Sequence, residues 1–227
     1  MGNINENYTS FYDQKKHLKV YPTEFVVRTF LANYPNLNME KVTTGSKVLD
    51  IGIGDGRNTL FLCEQGYDVY GTEITKDIVD QTKNRLKENG YSPNLSVGRN
   101  AKLTYEDSFF DTVLACHVCY YCDEGESIKD NLAEYSRTIK PGGWLVASVG
   151  HENSFLYEGA EKLEDGSMLI KKDYYNNRIG YRLHCVKNTE EIEALFSEWF
   201  DNFSFGEEHN NYYGIDAHVF WVVCQKK

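Results

Sequence analysis

No apolar run in this 227-residue chain comes near the roughly 20 residues that a membrane-spanning helix needs, so no membrane partner is expected. Met1 to Tyr8 is polar and lacks the apolar stretch of a secretion signal. Positive charge is scarce: 24 Lys and Arg stand against 34 Asp and Glu, a formal charge of −10. A protein that tracks a nucleic-acid backbone needs a basic face, so no nucleic-acid partner is expected either. Internal repeats and low-complexity linkers are missing too. The six cysteines (Cys63, Cys116, Cys119, Cys122, Cys185, Cys224) do not read as a disulfide framework. Four fall in apparent strands or at strand ends, where a free thiol behaves as a small apolar side chain. Cys116-x-x-Cys119-x-x-Cys122 lacks a fourth ligand and a loop setting, so no metal is expected. The expectation is a cytoplasmic, single-domain protein over residues 1–227, long enough to bury a core.

What the chain does have is the stretch Lys47 to Cys63, KVLDIGIGDGRNTLFLC. Val48, Leu49 and Ile51 form a short apolar run suited to a buried parallel strand. Gly52, Gly54 and Gly56 close it, and Asn58 to Cys63 reads as the first turns of a helix. A strand, a glycine turn and a helix make a ligand crevice at the carboxyl end of an open α/β sheet. Asp50 adds a carboxylate at the strand end. A dinucleotide fingerprint would place its third glycine where Arg57 stands, and no phosphate loop ending in G-K-[ST] occurs.

Downstream, strands and helices alternate. Tyr67 to Ile74 reads as a strand ending on Glu73, Thr75 caps a helix to about Asn89, and Asn94 to Gly98 is a third strand. Phe109 to Cys116 is a fourth strand, Ser127 with Asp130 opens a helix to about Ile139, and a Lys140 to Gly143 turn leads into Trp144 to Val149. Such alternation implies parallel strands with right-handed crossovers. Thr23 to Ala32 has helical spacing and belongs to an N-terminal helical cap over about residues 1–35. A polar, aromatic lid or substrate insert fills about residues 150–185, with an extended arm over Arg178 to Val186. Thr189 caps a helix to about Trp199, and Asp201 to Glu207 and Ala217 to Gln225 are two closing strands.

The run D-x-G-x-G-x-G at Asp50 to Gly56 resembles motif I of the class I S-adenosylmethionine (SAM) methyltransferases, and the element order over about residues 24–227 is similar to theirs. The resemblance implies an α/β fold: a doubly wound, mostly parallel, seven-stranded Rossmann-like sheet with an antiparallel last strand and helices on both faces. It implies SAM as cofactor, with Asp50, Gly52, Gly54 and Gly56 at its methionine end and sulfonium, Asn58 among the cofactor-binding residues and Glu73 on the ribose hydroxyls. Ile74 would lie against adenine, Asn100 and Ala101 at the adenine edge, and Cys116 beside the transferred methyl. The Arg57-Asn58 extension resembles the small-molecule and tellurite-resistance type, and Tyr21-Pro22-x-Glu24 resembles methyltransferases encoded with surface-polysaccharide genes. Both lean toward a small acceptor, a sugar or surface-polysaccharide precursor among them.

Methyl transfer from a sulfonium needs an acceptor held in line, and a hydroxyl or protonated amine also needs a base. His117 is the first candidate base and His151 the second; a satisfied core or loop histidine is the competing reading of each. Tyr8, Tyr12, Tyr120 and Tyr121 are candidate walls of the acceptor pocket, with ordinary packing as the alternative. The rival functions are a non-catalytic SAM binder and a nucleotide-dependent oxidoreductase on a similar sheet. An amino-group nucleic-acid methylase would carry N-P-P-[YF] where this chain reads ACHVCYY. Association as a homodimer stays open.

Overall fold

The computed structural model describes residues 4–227. Met1 to Asn3 of the expected N-terminal cap lie outside the described residues. The centre is a sheet of β1 (Lys47–Ile51), β2 (Asp68–Glu73), β3 (Asn94–Val97), β4 (Phe110–Ala115), β5 (Ile139–His151), β6 (Phe200–Tyr212) and β7 (Ile215–Lys226). Their order is β6-β7-β5-β4-β1-β2-β3. All neighbours are parallel except at β7, which runs against both β5 and β6.

Side chains alternate across each strand, and both faces are dry. Val48, Leu114 and Val146 point to the face packed by α2 (Glu24–Leu31) and α3 (Arg57–Glu64), where Val26, Phe30, Phe61 and Leu62 meet them. Their neighbours Leu49, Val113 and Leu145 point to the opposite face, under Leu132 and Tyr135 of α5 (Ile128–Thr138) and Phe196 of α6 (Thr189–Phe196). Between them, α4 (Lys76–Glu88) packs Val79 and Leu86 against Leu95 of β3 and Ile53. Thr75 caps α4 by accepting from Ile78 N–H, and Ser127 with Asp130 forms the expected capping box at α5. The doubly wound sheet, the reversed last strand and the helices on both faces are as the sequence implied.

Several local expectations are corrected. Lys140 to Gly143 is not a turn before a strand. It is a bulge inside β5, where Ile139 pairs with Phe110 and Trp144 already pairs with Thr112. α6 is capped by Asn188, whose side chain accepts from Glu191 N–H, and it stops at Phe196. The two closing strands run longer than the hydrophobic alternation indicated, because the hairpin stays paired out to Tyr212 and Ile215. The arm expected over Arg178 to Val186 divides between two sheets. Cys185–Val186 adds a two-residue strand to β5, while Arg182–Leu183 joins a small sheet with Tyr121–Cys122, Glu161–Lys162 and Met168–Leu169. That small sheet ties the insert to the segment after β4. At the other end of the chain, α1 (Ile4–Asp13) lies against α4, where Gln81 Nε2 donates to Tyr12 O at 3.0 Å. Among the described residues no helix is long and apolar enough to cross a membrane.

Candidate active site

β1 ends in a glycine turn that only glycine can make. Gly52 has φ +68° and Gly54 φ +51°, conformations that a side chain disfavours. A Cβ on Gly52 would come within 2.9 Å of Val118, and one on Gly54 would strike the Tyr12 hydroxyl. The N–H groups of Gly52 and Ile53 both donate to Thr72 O, fixing the turn to the head of β2. Asp50 lies beneath it, 2% exposed, and accepts a hydrogen bond from Thr59 Oγ1 at 2.7 Å. Burial pushes its carboxyl up to about 7.

Above the turn is a cavity of about 400 Å³. Of the residues expected at the cofactor, Gly52, Gly54, Asn58, Glu73, Ile74, Asn100 and Cys116 line it; Asp50, Gly56 and Ala101 do not. Asp50 accepts the Thr59 hydroxyl through Oδ2 and lies beneath the turn. Gly56 is the left-handed residue that starts α3 and faces Thr82. Ala101 sits in a tight turn bridged by Arg99 and Lys102.

Glu73 stands at the end of β2, buried, and its position is set by backbone. Oε2 accepts Gly54 N–H at 3.0 Å and Oε1 accepts Ile74 N–H at 2.7 Å. Burial holds its pKa above the usual carboxylate range, against those two amides. Asn58 Oδ1 accepts Thr23 N–H at 2.9 Å and so joins the start of α3 to α2. Asn100 is committed to structure: its Nδ2 donates to Val118 O at 2.9 Å and Tyr121 O at 3.0 Å. The Cys116 thiol is raised to about 12 by burial and lies 3.7 Å from Thr23 Oγ1, which makes it a wall and not a nucleophile.

His117 lines the cavity directly after β4, in a left-handed conformation (φ +57°) held by a 2.7 Å bond from its N–H to Ser148 Oγ. Its ring meets the Trp221 ring edge-on at 5.1 Å. Burial, with Arg57 and Arg178 nearby, pulls its pKa down to about 4, so the imidazole is neutral near pH 7. His151 is elsewhere. Because β5 continues to residue 151, it lies beside His218 of β7 and stacks on it at 3.7 Å, and it is outside the cavity lining.

Tyr8, Tyr12, Tyr120 and Tyr121 all line the cavity, but they divide into two groups. Tyr12 rests on Gly54, at the glycine-turn end. Tyr8 and Tyr121 are joined instead to each other and to Arg178: Tyr8 OH donates to Tyr121 OH at 3.0 Å and Arg178 Nε donates to the same oxygen at 2.8 Å. Arg178 in turn is paired with the buried Asp173 at 3.0 Å. Sequence reasoning missed Asp173, Asn177, Arg178 and Phe155. They sit in an insert without periodicity, and its polar, aromatic character was the one signal there.

A protein-family model described as a methyltransferase domain matches residues 49–147, which hold β1 through most of β5. A protein-L-isoaspartate O-methyltransferase of Christiangramia forsetii is 32% identical over 111 residues, covering 48% of each chain. A demethylmenaquinone methyltransferase of Tropheryma whipplei is 31% identical over 117 residues, 51% of this chain and 46% of its own. The chain thus spans about half the length of these curated relatives. A solved SAM-dependent methyltransferase of Methanosarcina mazei has the same fold, with a TM-score of 0.66 at 21% identity over 86% of this chain and 99% of its own.

Proposed function

We propose that the chain moves a methyl group from SAM to a small-molecule acceptor; residues 49–147 match a methyltransferase-domain model, and the chain shares the fold of a solved SAM-dependent methyltransferase. The observation that carries this is the pairing of Glu73 with the glycine turn. A carboxylate whose two oxygens are already fixed by the Gly54 and Ile74 amides faces a floor from which side chains are excluded. Free lone pairs on those oxygens suit the two hydroxyls of a ribose. The Gly52–Gly54 turn, with Val118 and Tyr12 packed against it, would form the part of the cavity that takes the methionine end.

When bound, SAM supplies an activated methyl on a sulfonium. The chain's part is to hold the acceptor in line and exclude water. α1 and the insert close over the cavity, and His117 presents a neutral imidazole that can take a proton from the acceptor. The curated relatives are named for different acceptors, a protein residue and a quinone precursor, so likeness to them does not choose one. A cavity lined by the aromatic side chains Tyr8, Phe11, Tyr121, Phe155 and Tyr175 favours a small ring-bearing molecule, sugars included. The oxidoreductase reading is weaker, because Arg57 stands where the third glycine of a dinucleotide site would allow close approach.

Calorimetric titration of the purified chain with S-adenosylhomocysteine and, separately, with NAD tests the reading. Binding of the first alone is expected; binding of NAD instead, or of neither, would overturn it. An acceptor screen then follows the release of S-adenosylhomocysteine. On the acceptor so found, His117→Ala is expected to lower kcat about 100-fold, while His151→Ala leaves it unchanged. With SAM saturating, the wild-type kcat should fall as the pH drops toward 4, where His117 gains its proton. Full turnover by His117→Ala would mean that positioning alone suffices.

A further inference from the structure

Among the described residues four cations line the cavity, and two of them have no carboxylate to bond. Arg99 donates to Asp123 at 3.1 Å, and Arg178 donates to Asp173 at 3.0 Å. Arg57 Nε stands 4.0 Å from Asp55, beyond hydrogen-bond reach, and its guanidinium makes no hydrogen bond among the described residues. Lys15 Nζ makes neither a hydrogen bond nor an ion pair among them. It rests over the Phe11 ring at 3.7 Å, with the Tyr175 ring at 5.9 Å. Both side chains can be reached: Arg57 is 46% exposed and Lys15 is half-buried.

Charge collects here against the balance of the chain. Lys15, Arg57 and Arg178 stand against Asp55 and Asp173, three cations to two carboxylates, in a chain of formal charge −10. Burial lowers the Lys15 pKa, and Arg57 and Arg178 lower it further against the pull of Asp55. The charges that act on His117 are again Arg57 and Arg178, with no carboxylate opposing them. SAM would add a further positive charge, a sulfonium and an ammonium against one carboxylate. A cleft lined by one sign of charge concentrates ligands of the other. The cations also border an aromatic patch. The Tyr175 ring lies 6.3 Å from Phe155 and 6.5 Å from Phe11, with the Arg178 guanidinium 5.7 Å over it. Aromatic faces of this kind take flat rings.

We propose that the methyl acceptor is an anion: a ring-bearing molecule whose carboxylate is held by Arg57 and Lys15 while its ring lies against Phe11, Phe155 and Tyr175. The planar fork of Arg57 matches a carboxylate with two parallel bonds, and Lys15 adds a point charge. The carboxylate is a handle, and a different atom of the molecule takes the methyl beside His117. Calling the molecule the methyl acceptor rests on the methyl-transfer reading; the anion site itself does not.

Benzoate and nitrobenzene make a matched pair of probes, alike in shape and different in charge. Their dissociation constants are measured by ligand-observed NMR on the full chain saturated with S-adenosylhomocysteine, and the wild type is expected to prefer benzoate. Arg57→Gln should cut that preference about 10-fold and Lys15→Gln about 5-fold, with melting temperature and affinity for S-adenosylhomocysteine unchanged. Lys16→Gln, one residue along and outside the cavity lining, should leave the preference as it is. A wild type without the preference overturns the proposal. So does a preference that survives in both variants or falls as far in Lys16→Gln. A third overturning result is weaker S-adenosylhomocysteine binding in either variant while methylthioadenosine, which lacks the amino-acid end, binds as before. The cations would then hold the cofactor's own carboxylate. If the wild type fails to bind S-adenosylhomocysteine, the methyl-transfer reading falls. The two probes are then titrated without it, and the same preference and losses judge the anion site alone.

Discussion

Replacing Glu73 with alanine is expected to weaken S-adenosylhomocysteine binding about 100-fold. Two hydrogen bonds from ribose hydroxyls to an ionised carboxylate are together worth about 3 kcal/mol net, and each 1.4 kcal/mol is tenfold in affinity. The geometry makes the full loss plausible. Glu73 is buried and anchored by two backbone amides, so no rotation or solvent can make up for it. The same anchoring adds a second effect, because Glu73→Ala strips the Gly54 and Ile74 amides of their partner and loosens the glycine turn. Circular dichroism and a melting curve on the variant separate this from unfolding. Acid gives an independent check on the wild type. Burial raises the Glu73 pKa, so binding should begin to fail at a higher pH than an ordinary carboxylate would allow. Unchanged affinity in a folded Glu73→Ala protein would remove the central support for a SAM site here.

Asp50→Asn is expected to stabilise the protein in alkali and to do little in acid. The Asp50 carboxyl is 2% exposed and raised to about 7 by burial, with the Thr59 hydroxyl bond opposing the shift. Its folded pKa is thus above the unfolded value of about 3.9. A raised pKa means that the folded state holds the proton more tightly. The associated stability is fully present below about pH 4 and is lost as the pH rises through 7. With a shift of about three units, the loss by pH 8.5 is on the order of 4 kcal/mol. Asparagine keeps an oxygen for Thr59 and cannot ionise, so its stability should be nearly flat over that range. Denaturant unfolding of both proteins at pH 5.5 and pH 8.5 measures this. Parallel pH profiles for the two would show that Asp50 is not the group responsible.

The features legible in the sequence were those written in adjacent residues. Val48-Leu49, Val113-Leu114 and Leu145-Val146 each place neighbouring apolar side chains on opposite faces, which requires a strand covered on both sides. The glycine spacing after β1 specified a turn with positive φ, and Glu73 was found because it ends the next apolar run. Where the reading failed, the deciding contact lay far along the chain. His151 looked like a residue at a strand mouth until its neighbour in space proved to be His218. The Thr59 hydroxyl bond that holds Asp50 beneath the glycine turn was likewise not visible in the strand pattern.

The sequence by itself therefore determined the parallel strands and the floor of the crevice, because hydrophobic periodicity and glycine act over a few residues at a time; the reversed last strand was implied by the family resemblance. Only the tertiary structure decided what closes that crevice. Tyr12 comes to rest on Gly54 from α1, and the insert carries Asn177 and Arg178 into the cavity lining, where Arg178 bonds to Tyr121. Such meetings depend on how loops close across tens of residues around a packed core, and no local pattern encodes them.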